Sequence, residues 1–166
     1  MSVSSTSIAS IMLPEFDREM ACTRKILEKV PADKLEWKAN ESLHTLGWNA
    51  NHVAEIVGWT QFIIDEDVFN LAPVDGPAYE TPSLSDPAKI IEAFDQNVSL
   101  ARAALERTSD ETMGEMWTMK AGEQTLMTIT KGECLRTWVF NHTVHHRGIL
   151  SVYLRMLGVA DATAYG

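Results

Sequence analysis

The chain has 166 residues, of which 45% are hydrophobic, so it can bury one substantial core and is too apolar for general disorder. Its formal net charge of -9 and its pI near 4.9 argue against binding to nucleic-acid backbones or anionic membranes, because both repel an acidic surface. We therefore expect a single domain over residues 1–166 whose partner is a small-molecule ligand or substrate, with no nucleic acid and no membrane as partners.

The beginning of the chain, MSVSSTSIASIMLPEF, lacks the basic segment and long apolar core of a signal peptide. No later stretch approaches the roughly 18 apolar residues that a membrane span requires. Cys22 and Cys134 are the only cysteines and have no C-x-x-C spacing. These features predict a cytoplasmic protein with two free thiols.

Two long helical patterns occupy the first part of the chain. The first covers residues 7–30, where apolar residues recur at helical spacing until Pro31 ends the pattern. The second covers residues 42–70, with Ser42 as the predicted N-cap. Its buried face is predicted from the spacing of Trp48, His52, Ile56, Trp59 and Ile63.

A loop with four of the six prolines leads to the third helix, residues 85–107, which begins at the capping sequence SDP. The segment MWTMKAGEQTLMTI then alternates loosely around residues 121–122 and predicts a short β-hairpin. The fourth helix covers residues 131–157. Its predicted buried stripe contains Leu135, Trp138, His142, His146, Ile149, Tyr153 and Met156. Together the patterns predict an all-α fold, a four-helix bundle with a short β-hairpin before the last helix.

Three of the five histidines lie in the segment NHTVHHRGIL of the last helix. His142 and His146 are four residues apart, which places both side chains on one helix face. His52 lies on the apolar face of the second helix. Three neutral imidazoles that meet in the core would bind Zn²⁺ or a similar ion at about 2.0–2.1 Å and leave one coordination position open. The alternative is that each is an ordinary core histidine, satisfied by a hydrogen bond.

The segments NANHVAEIVGW and WVFNHTVHHRGILSVYLRMLGV resemble the DinB (YfiT-like) family of metal-binding four-helix bundles. In that family one histidine of the second helix and two of the last, in an H-x-x-x-H-R-G arrangement, bind a divalent metal. The resemblance therefore implies one divalent ion, Zn²⁺ or Ni²⁺, on His52, His142 and His146. Ile149 stands where the family often has glutamine, a difference that concerns only a neighbouring polar contact.

Three further polar residues are candidates to support the ligands or to contact a substrate. Glu55, three residues after His52, would orient a ligand or act as a base, or else be a solvated carboxylate. His145 points about 100° away from His146 and is expected at the surface or behind the ligands. Arg147 would bind an anionic group near the metal or pair with one of the 23 acidic residues.

An open coordination position is typical of a catalytic metal site, because structural sites usually have four protein ligands. The resemblance implies an enzyme of the thiol-dependent transferase or isomerase type, in which the metal activates a low-molecular-weight thiol. A metal-dependent hydrolase and a non-catalytic, stress-associated binding protein are the alternatives, and no catalytic base is evident. The resemblance also implies a homodimer that forms through a helix face.

Overall fold

The computed structural model describes residues 7–165. The longer helices are α1 (Ile8–Leu27), α2 (Leu46–Ile56), α3 (Trp59–Asp65), α4 (Pro87–Arg107) and α7 (His142–Met156). The short ones are a 3₁₀ turn (Ala32–Lys34), α5 (Asp110–Gly114), α6 (Lys131–Cys134) and a π-helical segment (Leu135–Asn141). The strands are β1 (Val68–Asn70), β2 (Met116–Ala121) and β3 (Gln124–Thr130).

Four helices surround one core, since α1 and α2 each pack against both α4 and α7. The core is built from side chains with almost no exposed surface, among them Phe16 of α1, Phe94 of α4 and Leu150 of α7. The fold is thus mostly helical with a small sheet at one side. Among residues 7–165, no helix has the length and apolar character needed to cross a bilayer.

The prediction of one helix over residues 42–70 is wrong at both ends and in the middle. The observed helix α2 begins at Leu46, because Thr45 rather than Ser42 is the cap and accepts a hydrogen bond from the Trp48 N–H at 3.0 Å. It breaks at Gly58, where α4 approaches so closely that an added Cβ would lie 2.9 Å from the Asn97 side chain. Asn97 donates to the Ala54 carbonyl at 2.9 Å, which satisfies an acceptor that the break leaves free.

The end of that predicted helix is a strand instead. Residues 68–70 form β1, which pairs in parallel with β2, while β2 and β3 pair antiparallel around Gly122. Gly122 has φ +59°, a conformation that favours glycine. Asn70 fixes this turn, because its side chain donates to the Gly122 carbonyl and accepts from the Gly122 N–H, both at 3.0 Å. Pairing with a distant strand, which helical periodicity does not report, therefore decides the structure of residues 68–70.

The last helix is continuous from Lys131 to Met156 but changes its pitch. The π-helical segment adds residues per turn and so rotates the following α7 relative to a uniform α-helix. As a result the predicted buried stripe is wrong at its end, where Met156 is 58% exposed. The core face of α7 is instead formed by Thr143, Arg147, Leu150 and Leu154. His142 and His146 lie half-buried beside that face.

Arg147 ties α7 to α1. The side chain is 1% exposed, and its guanidinium donates to the Glu19 carboxylate at 2.7 Å, to the Glu19 carbonyl at 3.0 Å and to the Thr23 hydroxyl at 3.2 Å. It also contacts the Tyr165 hydroxyl. Burial works against ionisation of Glu19, but hydrogen bonds from Tyr165 and Arg147 outweigh it and lower the pKa of that carboxyl. Arg147 thus pairs with an acidic residue, one of the two expected roles, and its contact with an anionic group near the metal stays a prediction.

We expect Glu19→Ala to destabilise the fold by about 3 kcal/mol, because it leaves the buried Arg147 charge without its counter-ion. Chemical denaturation followed by circular dichroism measures this change. Glu106→Ala is the matched control, since Glu106 pairs with Arg102 at the surface and its removal should leave the stability nearly unchanged. Equal effects of the two substitutions would contradict this account of Arg147.

Candidate metal centre

The three predicted ligands meet between α2 and α7. One nitrogen from each of His52, His142 and His146 lies within 4.8 Å of the others. The Nε2 atoms of His142 and His146 are 3.0 Å apart. His52 is 6% exposed, and the other two rings are half-buried. The convergence that the sequence could only suggest is therefore present in the fold.

Neighbouring oxygen atoms decide which nitrogen of two of these rings faces the centre. Nδ1 of His146 lies 3.3 Å from the amide oxygen of Asn49, which can only accept, so Nδ1 carries the proton and Nε2 carries the lone pair. Nδ1 of His52 lies 3.3 Å from the hydroxyl of Thr81 and 3.6 Å from the carboxylate of Glu55. This leaves Nε2 of His52 available as a ligand atom. Such polar partners orient the histidine ligands of metal sites.

The donor set fits a divalent cation. Burial first, and then the nearby His52, lower the pKa of His142 to about 4 and that of His146 to about 3. Both rings are therefore neutral near pH 7, so the 3.0 Å separation of their Nε2 atoms is that of a hydrogen bond in which one neutral ring donates to the other. A cation bound here would need His142 in the tautomer that carries its proton on Nδ1, which leaves both Nε2 lone pairs as ligand atoms. Three neutral imidazoles are the ligand type that Zn²⁺ and Ni²⁺ accept.

Three tryptophans enclose the triad. Trp48 stacks on His52 with ring centroids 4.6 Å apart, and Trp59 contacts His52 edge-on at 5.7 Å. Trp138 contacts His142 edge-on at 5.8 Å. Because these rings are large and apolar, they restrict the histidine rotamers and limit the access of water to the centre.

The loop of residues 71–86 supplies the outer contacts of the site. Its Tyr79 hydroxyl donates to the Glu55 carboxylate at 2.6 Å, and its Thr81 lies against His52. The loop is held to α2 by Asn51, whose side chain makes two 3.0 Å hydrogen bonds with the backbone of Leu84. Glu55 is only 16% exposed, so its place beside His52 fits the ligand-orienting role and not that of a solvated carboxylate.

Sequence patterns missed the partners Asn49, Tyr79 and Thr81. Asn49 could have been identified from the sequence, because asparagines within a buried helix must find hydrogen-bond partners. The segment NANH contains two asparagines close to His52. No local pattern in the loop distinguishes Tyr79 or Thr81 from other loop residues. Their role arises only when the loop packs on α2.

The remaining candidates lie at the edge of the triad or away from it. His145 is exposed, with its ring 4.9 Å from that of His146, which agrees with the predicted surface position. His44 is also exposed and stacks on Trp48 at 3.6 Å, so it forms part of the rim. Cys134 is fully buried, and burial raises the pKa of its thiol to about 12. It is not a member of the ligand group.

Comparison with known protein families shows the family of the chain. The family model described as the DinB family matches residues 1–166. The chain belongs to the DinB family. The resemblance inferred from the histidine-containing segments is thereby confirmed. A comparison with the curated proteins gave no match.

Two solved structures share the fold of this DinB family member. A DinB-like protein from Bacillus subtilis has a TM-score of 0.66 at 20% sequence identity, over 89% of this chain and 92% of that chain. A DinB-like protein from Bacillus cereus has a TM-score of 0.68 at 18% identity, over 97% of each chain. At these identities the likeness establishes the fold and nothing about the reaction.

The lowered pKa values of His142 and His146 predict that acid destabilises the metal-free protein. Between about pH 6.5, the value for an unfolded histidine, and the folded values of about 4 and 3, the unfolded chain binds more protons than the folded chain. The free energy of unfolding should therefore decrease as pH falls through this interval. Urea unfolding in the presence of EDTA, at about pH 7 and about pH 5, measures the decrease.

The double variant His142→Gln/His146→Gln should lose less stability between the two pH values than the native sequence does. His145→Gln is the control, because this exposed residue lies beside the triad and its loss should leave the native pH dependence in place. An identical pH dependence in the native protein and the double variant would rule out burial of these two neutral rings.

Proposed function

We propose that the protein is a metal-dependent enzyme with one divalent ion, Zn²⁺ or Ni²⁺, bound by His52, His142 and His146. The observation that carries this proposal is the 3.0 Å approach of two neutral Nε2 atoms, with a third imidazole within ligand distance. When bound, an ion with an open coordination position lowers the pKa of a thiol or water that occupies that position. The reaction class proposed is transfer or isomerisation that depends on a low-molecular-weight thiol.

The residues around the triad support this chemistry by orientation. Asn49 holds the proton of His146 on Nδ1, and Thr81 occupies the Nδ1 side of His52, so that Nε2 of each ring would be the atom offered to the ion. The Glu55 carboxylate lies on the same side of His52, 3.6 Å from Nδ1, where it adds an electrostatic contact. The tryptophan walls exclude bulk water and so strengthen the electrostatic interactions within the centre.

A thiol suits this site better than water does. The Glu55 carboxylate accepts a hydrogen bond from Tyr79 at 2.6 Å and lies beside Nδ1 of His52, which suits it to orienting that ring. A thiol has a pKa near 8.5 and loses its proton outright when it ligates a metal, so it needs no separate base. Water starts from a far higher pKa and gains more from a base.

A metal-dependent hydrolase is the second candidate, and one observation favours it. The exposed imidazoles of His44 and His145 flank Trp48 and His146 at the rim of the centre. His145, whose ring lies 4.9 Å from that of His146, could accept a proton from a water molecule held at the triad, which is the role of a general base. The thiol experiment below separates this candidate from the first.

Untagged protein loaded separately with Zn²⁺ and Ni²⁺ should retain about one equivalent of metal per chain. His142→Ala and His146→Ala should each lose most of it, because two imidazoles hold the ion poorly. His145→Ala is the matched control and should retain the metal. Elemental analysis after gel filtration measures the content. Native protein that retains neither metal, or equal retention in all the variants, would contradict the assignment of the ligands.

Co²⁺-loaded protein should show a new near-ultraviolet charge-transfer band when a small thiol such as glutathione or cysteine is added, because an open position admits a thiolate. The band should be absent in His142→Ala. Absorption spectroscopy at increasing thiol concentration measures it. If fully loaded protein shows no response to any thiol, the transferase proposal fails, and hydrolysis of an ester or amide panel becomes the test of the second candidate.

A further inference from the structure

A cavity of about 480 Å³ lies beside the histidine triad, between α3, the sheet and the π-helical segment. Trp59 and Trp138 form a wall that the cavity shares with the triad, since both also line the cavity. The Trp59 ring lies 5.7 Å from the rings of His52 and His142, and the Trp138 ring lies 5.8 Å from His142. The cavity therefore adjoins the candidate metal centre without including its ligands.

The chemistry of the cavity wall is aromatic and uncharged apart from one carboxylate. Among the described residues that line it there is no lysine, arginine or histidine. The Cys134 thiol stays neutral because burial raises its pKa. An anion inside would lose its hydration without gaining a counter-charge, and would face the Glu55 carboxylate. Six aromatic side chains provide most of the wall: Trp59, Phe62, Phe69, Tyr79, Trp117 and Trp138.

One end of the cavity is polar and accepts hydrogen bonds. Tyr79 donates its only hydroxyl proton to Glu55, so its oxygen keeps lone pairs that can accept from a ligand. The Glu55 carboxylate also has acceptor positions beyond the Tyr79 bond. A ligand with a hydroxyl or N–H group at one end and aromatic rings elsewhere would match both features. The cavity volume is within the range of roughly 300–1,000 Å³ that small-molecule sites have, enough for about two fused rings with substituents.

We propose that this cavity binds the uncharged aromatic portion of the substrate, with a hydroxyl or N–H group directed to the Glu55–Tyr79 pair. This inference rests on the proposed function, because it makes the cavity the substrate-binding part of the same centre. It also makes Glu55 the residue that links the cavity to the metal centre, since its carboxylate lines the cavity and lies 3.6 Å from Nδ1 of His52.

The test is isothermal titration calorimetry of Zn²⁺-loaded, full-length protein near neutral pH with two probes of equal size, neutral 2-naphthol and anionic 2-naphthoate. We expect 2-naphthol to bind at one site per chain and at least about tenfold more tightly than 2-naphthoate, because the wall offers the carboxylate no counter-charge. Equal or tighter binding of 2-naphthoate, or no saturable binding of 2-naphthol, would overturn the proposal.

Substitution on strand β2 provides a matched pair of variants. Met119→Trp fills the cavity and should weaken 2-naphthol binding by at least about tenfold. Met116→Trp places the same residue at an exposed position of the same strand, outside the cavity, and should leave binding unchanged. Leu71→Trp, at a half-buried position of the cavity wall, is the second filling variant if Met119→Trp fails to fold. Unchanged affinity in a folded filling variant would also overturn the proposal.

The metal content of the same samples separates this inference from the proposed function. Retained metal without 2-naphthol binding would refute the cavity proposal and leave the metal assignment intact. Binding of 2-naphthol by native protein that retains no metal would refute the metal assignment and leave the cavity proposal intact. In Co²⁺-loaded protein, 2-naphthol should also perturb the visible spectrum, because a ligand on Glu55 changes the electrostatic surroundings of His52, whose Nδ1 lies 3.6 Å from that carboxylate. This perturbation should be lost in Met119→Trp.

Discussion

The close approach of three imidazoles is the constraint on which the rest of the structure depends. Two Nε2 atoms lie 3.0 Å apart, and both rings are neutral because burial and a neighbouring ring lower the pKa of both groups. The neighbouring tryptophans and Asn49 restrict the rotation of these rings. A cation would take the place of the proton between the two rings and would be held by both Nε2 atoms.

Several parts of the fold serve to maintain that approach. Arg147 fixes α7 to α1 through its buried ion pair, and the π-helical segment sets the rotation at which α7 presents His142 and His146 to α2. The loop of residues 71–86 closes over the third ring, with Thr81 against His52 and Tyr79 on Glu55. These contacts also form the boundary of the aromatic cavity. Orientation of the ligands and the shape of the adjoining cavity are thus produced by the same loop and the same tryptophans.

Much of this could be predicted because the relevant signals are local. Helical spacing identified α1, α4 and α7, and a fourth-residue repeat placed His142 and His146 on one face. The errors arose where distant contacts decide the outcome. Residues 68–70 form a strand because β2 lies beside them, and the second helix breaks where α4 approaches Gly58. The homodimer, the identity of the metal and the reaction stay predictions.

The polar partners of the triad were the least predictable part of the site. Thr81 and Tyr79 contact α2 from a loop more than twenty residues along the chain, and nothing in the loop sequence reports that packing. Glu55 was identified because it lies on the same helix as His52, three residues further on. Local spacing therefore found the ligands, whereas the groups that orient them required the tertiary structure.

The most direct test is a crystal structure of the metal-loaded protein with anomalous diffraction data collected on both sides of the metal absorption edge. The account predicts one anomalous peak per chain, at about 2.0–2.1 Å from a ring nitrogen of each of His52, His142 and His146, with a non-protein ligand in the remaining position. A peak at other residues, or a fully loaded ion that lacks one of these three nitrogens, would contradict it.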